Sequence, residues 1–66
     1  MQEGTIARLN TGYGFIAING REKDLFFHAT ALLNAQFNDL QVGNKVSFEE
    51  GMGEKGPNAV KVNLVS

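Results

Sequence analysis

The sequence predicts an all-β protein, a barrel or a sandwich, on three observations. Short apolar runs rich in β-branched and aromatic residues recur along the chain, each about the length of a strand. Eight glycines in 66 residues punctuate them closely. No segment carries the apolar period of a long amphipathic helix.

The runs follow in order. GTIARLN occupies 4–10 and YGFIAI occupies 13–18. DLFFHA at 24–29 comes after the turn pair Asn19-Gly20. NKVSFEE at 44–50 begins at the turn pair Gly43-Asn44, and NAVKVNLV at 58–65 follows GMGEKGPN at 51–58, which reads as a turn. Between the third and fourth runs lies ATALLNAQF at 29–37. Ala31, Leu32 and Leu33 suit one helical or 3₁₀ turn after Thr30, and the rest reads as a loop.

Successive strand side chains point to opposite faces. Tyr13, Phe15 and Ala17 therefore share one face, and Gly14, Ile16 and Ile18 the other. In the third run Leu25 and Phe27 fall together, with Asp24, Phe26 and His28 opposite. A barrel needs one inner face, and Ile16, Ile18, Leu25, Phe27, Val46, Phe48, Val60, Val62 and Leu64 supply it. Tyr13, Phe15, Phe26 and His28 are then left on an outer surface. A regular first strand would put Ile6 and Arg8 on the same side. A core Ile6 with an outer Arg8 calls for a bulge or bend between them.

Composition narrows the function. Six Lys and Arg stand against seven Asp and Glu, a formal charge of −1. This is not the basic chain of an electrostatic nucleic-acid binder, so a polyanion partner would have to be held by a local patch or by other forces. Cysteine is absent, which excludes disulfides and thiolate-rich zinc sites and suits a reducing compartment. No apolar run approaches the roughly 20 residues of a membrane helix, and MQEGTIARLN lacks a signal-peptide pattern. The expected location is the cytoplasm, with no membrane partner. The length suits a single domain over 1–66 that buries only about 60% of its unfolded surface.

Two glycine patterns need testing as phosphate loops. Gly12-Tyr13-Gly14-Phe15-Ile16-Ala17 and GMGEKG at 51–56 both fit the loose dinucleotide pattern. That pattern works by a glycine turn opening a helix whose N-terminus meets the pyrophosphate. Here Ile18, Asn19 and Gly20 end a strand, and Pro57 precedes another. No nucleotide cofactor is expected. His28 is the sole histidine, and no nucleophile, orienting acid or ligand set gathers around it. The chain therefore does not read as an enzyme, and no small-molecule substrate or metal is expected. His28 reads as a stacking ring or a hydrogen-bond donor.

These residues carry a family resemblance. The chain resembles the cold-shock domain family, single-stranded nucleic-acid binders built on a five-stranded antiparallel barrel of the OB-fold type. GYGFI at 12–16 is similar to the family's first RNA-binding motif and DLFFH at 24–28 to its second. GTI near the start, LQVGNKVSFE at 40–49 and KGPNAVKV at 55–62 match further, so the likeness runs from Gly4 to about Val65. It implies an aromatic platform flanked by lysines. The matching rings are Tyr13, Phe15, Phe26 and His28, with Phe37 as a loop aromatic that also stacks on a base.

The chain departs from the family at defined positions. The family's K-W-F-N is Ala7-Arg8-Leu9-Asn10 here. Thr11 replaces the lysine before the first motif's glycine, and Ala29 replaces the aromatic after the histidine. The connection between the first two strands is shorter than usual. Trp and Phe rings and two lysines are thereby lost. Arg8 compensates in part, because a guanidinium both stacks on a base and pairs with phosphate. Arg21, Lys23 and Lys55 are further phosphate candidates. The resemblance implies a monomer that binds single-stranded RNA or DNA without cofactor, as an RNA chaperone or a regulator of transcription or translation. The alternative expectation is a barrel that has lost nucleic-acid affinity and serves as a protein-interaction module, since an exposed aromatic face also suits a protein partner.

Overall fold

The computed structural model describes residues 2–53 and 56–65. Five strands, β1 Gln2–Asn10, β2 Tyr13–Ala17, β3 Leu25–His28, β4 Lys45–Gly53 and β5 Gly56–Leu64, close a barrel in the order β1-β2-β3-β5-β4. Pairing is antiparallel everywhere except between β3 and β5, where Phe26 and Phe27 run parallel to Asn58 and Ala59. The expectation of a wholly antiparallel barrel is corrected at this seam. An odd number of strands cannot alternate direction around a closed ring, so one pairing must be parallel.

The bulge that Ile6 and Arg8 require is present. Ile6 pairs with Ile16 and Arg8 with Phe15, so Ala7 is the extra residue. Ile6 is buried while Arg8 is exposed. A second irregularity lies in β5, where Lys61 adopts a left-handed φ of 51°. Ser47 pairs with Asn63 and Glu49 with Val60, which leaves Lys61 and Val62 together opposite Phe48. Alternation flips there, and Ala59 and Val62 are both buried. Val60, expected in the core, instead turns outward and lies across the hairpin over Gly51.

The core contains Ile6, Ile16, Leu25, Phe27, Leu40, Val46, Phe48, Ala59 and Val62. Ile18 and Leu64 pack against it half-buried. Within 51–58, read from sequence as a turn, the described residues 51–53 and 56–58 extend β4 and β5, with Met52 paired to Pro57 and Gly53 to Gly56. The β1–β2 connection is only Thr11-Gly12, and Gly12 takes φ +82°, a conformation open to glycine.

The long connection between β3 and β4 is fastened down. A 3₁₀ turn spans Ala29–Ala31, starting earlier than the expected Ala31 because His28 caps it by accepting from the Thr30 amide. A second, unexpected 3₁₀ turn at Phe37–Asp39 delivers Leu40 into the core. Leu33 N–H donates to the Val62 carbonyl at 2.9 Å. Asn34 pairs with the Leu64 backbone through both its amide atoms, at 3.1 and 2.8 Å.

Gly14 answers the question its motif raised. A Cβ at this position would lie 2.8 Å from the Arg8 carbonyl oxygen and 2.8 Å from a ring carbon of Phe27. The glycine lets β1 and the core phenylalanine close on β2. It does not open a helix.

Gly14→Ala is expected to destabilise the barrel by roughly 1–3 kcal/mol through overpacking, read from urea denaturation. Val62→Ala should cost about 2 kcal/mol and Val60→Ala less than about 1 kcal/mol. Equal losses at the two valines would contradict the flip at Lys61.

Candidate nucleic-acid interface

The register of β2 on β3 builds the outer face. Tyr13 sits opposite His28 and Phe15 opposite Phe26, so four rings face outward while Gly14, Ile16, Leu25 and Phe27 face inward. Tyr13 and Phe26 each keep 37% of their surface exposed. Their ring centroids lie 5.6 Å apart with planes tilted by 37°. Phe15 meets both at 6.0 Å, edge-on, at 82° to Tyr13 and 68° to Phe26. Each edge-on contact sets a positive ring edge against a negative ring face. The three rings therefore hold one another in place before any ligand arrives.

The rings line an open groove of about 720 Å³ together with Gly53, Gly56, Pro57 and Asn58. The parallel seam brings Asn58 beside Phe26. A Cβ on Gly53 would fall 2.8 Å from the Asn58 amide nitrogen, so glycine keeps this side of the groove low. Asn58 Oδ1 is buried with no hydrogen-bond partner among the described residues. Sequence reading missed this half of the groove, having taken 51–58 for a turn. The signal available was the KGPNAVKV match.

The structure treats the other candidates differently. Arg8 projects outward beside Phe15, through the β1 bulge. His28 is exposed, and its Nδ1 accepts from the Thr30 amide at 3.2 Å and lies 3.0 Å from Thr30 Oγ1. Phe37 is not part of the ring cluster. It is half-buried and packs on Phe27 with centroids 6.1 Å apart. Lys55 lies outside the described residues.

Charge is sorted by ion pairing. Arg21 pairs with Glu50 at 2.8 Å, Lys45 with Glu3 at 3.5 Å and Lys61 with Glu49 at 3.4 Å. Among the described residues, Arg8 and Lys23 make no ion pair. Arg8 borders the aromatic face. Lys23 lies with Arg21, Asp24 and Leu25 around a smaller depression that shares Pro57 with the groove. Arg21, a phosphate candidate by sequence, is occupied by Glu50, which also accepts from Gln2 at 3.4 Å. The hydrogen bond from Arg21, then that from Gln2, hold the Glu50 carboxyl below its ordinary range, and the same contact raises Arg21.

Among the described residues, no three His, Cys, Asp or Glu side chains stand together to hold a metal ion, and no helix is long and apolar enough to cross a membrane. Fold and face together define a small OB-type β-barrel with an aromatic strip on its outer surface. The family model described as "'Cold-shock' DNA-binding domain" matches residues 2–65. The chain belongs to the cold-shock domain family, whose members bind nucleic acid. It is 42% identical over 64 residues to cold shock protein CspB of Geobacillus stearothermophilus, covering 94% of this chain and 96% of that one. It is 37% identical over 67 residues to cold shock-like protein CspA of Bordetella pertussis, covering 98% of this chain and all of that one. Among solved structures, the drosophila Unr CSD456 superposes with a TM-score of 0.83 at 29% identity, over 98% of this chain and 26% of that one.

The Glu50 pairing carries a pH dependence. A carboxyl whose folded value lies below its unfolded one adds stability above the unfolded value and loses it as pH falls through the folded one. The raised Arg21 value acts in the opposite sense and only in strong alkali. Thermal melts on acidification should therefore fall less steeply for Glu50→Gln than for the parent chain. Both groups are exposed, so added salt should shrink the difference.

Proposed function

We propose that the outer face of β2 and β3 binds single-stranded RNA or DNA by stacking bases on Tyr13, Phe15 and Phe26, with Arg8 and His28 beside them. The observation that carries this reading is the pre-set cluster of three rings, bordered by an arginine with no ion pair among the described residues. Each base–aromatic stack is worth about 1–3 kcal/mol. A few such stacks outweigh the weak attraction of an acidic chain for phosphate. Phe37 is a secondary contact, through the part of its ring that Phe27 leaves exposed.

Stacking also supplies a role. A base held on a protein ring is unavailable for pairing, so transient binding keeps strands unstructured without ATP, metal or cofactor. We read the chain as a single-domain, monomeric RNA chaperone of the cytoplasm, or a regulator of transcription or translation by the same means. No catalytic step is part of this reading.

Fluorescence anisotropy of a labelled oligothymidine and a mixed RNA, titrated at several salt concentrations, tests it. Phe15→Ala and Phe26→Ala should each weaken binding by about 1–3 kcal/mol. Phosphate contacts from Arg8 and Lys23 should give a log–log salt slope of about −1.4. Arg8→Trp, which restores the family's ring, should strengthen binding by about 1–3 kcal/mol and flatten that slope. A folded barrel by circular dichroism with no binding at high micromolar protein would sink the proposal and assign the aromatic face to a protein partner.

A further inference from the structure

His28 stands at the end of the aromatic strip, directly opposite Tyr13 in the β2–β3 ladder. Only one edge of its ring is free to meet a ligand. The Nδ1 edge is engaged by Thr30 twice, by the backbone amide at 3.2 Å and by Oγ1 at 3.0 Å. A backbone amide can only donate. Nδ1 must therefore be the acceptor, and in the neutral ring the proton resides on Nε2. The Thr30 hydroxyl, 3.0 Å from the same nitrogen, then donates as well, sharing that nitrogen's single lone pair with the amide. The anchor is itself held, because Thr30 lies in the 3₁₀ turn Ala29–Ala31, and Ala29 N–H donates to the Gly12 carbonyl at 2.9 Å.

We propose that Thr30 is a positioning residue that holds His28 in its Nε2–H form, so that the His28 end of the strip accepts a base carbonyl edge and disfavours an amino edge. The inference rests on the nucleic-acid reading above. A base lying on Tyr13 or Phe26 presents its edge sideways, toward the strip's own margin. Uracil, thymine and guanine offer a carbonyl where cytosine and adenine offer an amino group. A ring that only donates pairs with the first kind. Against the second it leaves two donors facing each other, with no hydrogen bond formed between them. Stacking supplies affinity without regard to sequence, while His28 adds a bias at one base position.

The test compares oligothymidine with oligo-5-methyldeoxycytidine, which share the methyl and the 2-carbonyl and differ at position 4, a carbonyl against an amino group, and in the proton on N3. Binding is read by anisotropy at mildly alkaline pH, where imidazoles are neutral. The parent chain should prefer oligothymidine by about fivefold, the size of one net hydrogen bond. His28→Phe, which keeps a ring without a donor, should erase the preference. Thr30→Val removes the hydroxyl and should cut the logarithm of the ratio by at least about half. Thr30→Ser should keep it. Long-range ¹H–¹⁵N correlation spectra of the ring should show Nε2 protonated and Nδ1 bare in the parent chain, and a moved Nδ1 resonance in Thr30→Val.

A predominant Nδ1–H form, equal affinity for the two oligonucleotides, or a Thr30→Val chain with unaltered ratio and resonance would each overturn the inference. Binding to both oligonucleotides without preference overturns it alone. Binding to neither overturns the nucleic-acid reading as well.

Discussion

Phe27 lies against Gly14 at the centre of the barrel, and the face of the protein depends on that contact. The ring is fully buried, and it reaches β2 only because Gly14 has no side chain. The same missing methyl admits the Arg8 carbonyl of β1 from the other side. One glycine therefore sets how closely three strands meet. Once Phe27 is inside opposite Gly14, strand alternation leaves no choice for Tyr13, Phe15, Phe26 and His28, which must be outside. The glycine-aromatic pattern that looks like a phosphate loop is in fact the inner and outer halves of one strand pair.

An acidic chain that binds a polyanion has an electrostatic problem, and the structure meets it by local sorting. Arg21, Lys45 and Lys61 are engaged by Glu50, Glu3 and Glu49. These exposed pairs contribute little stability, but they engage three cations, and among the described residues only Arg8 and Lys23 are left without an ion pair. Arg8 stays beside Phe15 because the β1 bulge turns it outward while Ile6 remains in the core. Under the proposed stacking, attraction at this face would come from ring surfaces, with charge as a minor addition. Three rings already in mutual contact would lose little freedom on taking a base, which would favour affinity.

The groove owes its second half to the closure of the barrel. Five strands cannot close without a parallel seam, and the seam falls between β3 and β5. That sets Asn58 beside Phe26 and lays the glycine-rich end of the β4–β5 hairpin along the rings. The β3–β4 connection is stitched to β5 through Asn34 and Leu33, and its first turn is capped by His28 through Thr30. Elements far apart in sequence thus complete a face that β2 and β3 begin.

Much of this was legible in the residues. Period-two alternation is a local property, so the sequence alone determined five strands, the inward set of Ile16, Leu25, Phe27, Val46 and Phe48, and the outward set of Tyr13, Phe15, Phe26 and His28. It also demanded a break between Ile6 and Arg8, because a buried isoleucine and an exposed arginine cannot share a strand face two residues apart. Val60 was misjudged, because a single left-handed residue, Lys61, shifts alternation and composition does not announce it. Phe37 is a loop aromatic by sequence, and its partner Phe27 became visible only when the chain folded back. The Thr30 grip on His28 is a local contact two residues along the chain, whereas the place of the parallel seam and the hairpin wall with Asn58 were decided by tertiary structure alone. Each depends on which strand arrives beside which, a matter of long-range closure and packing that no local pattern encodes.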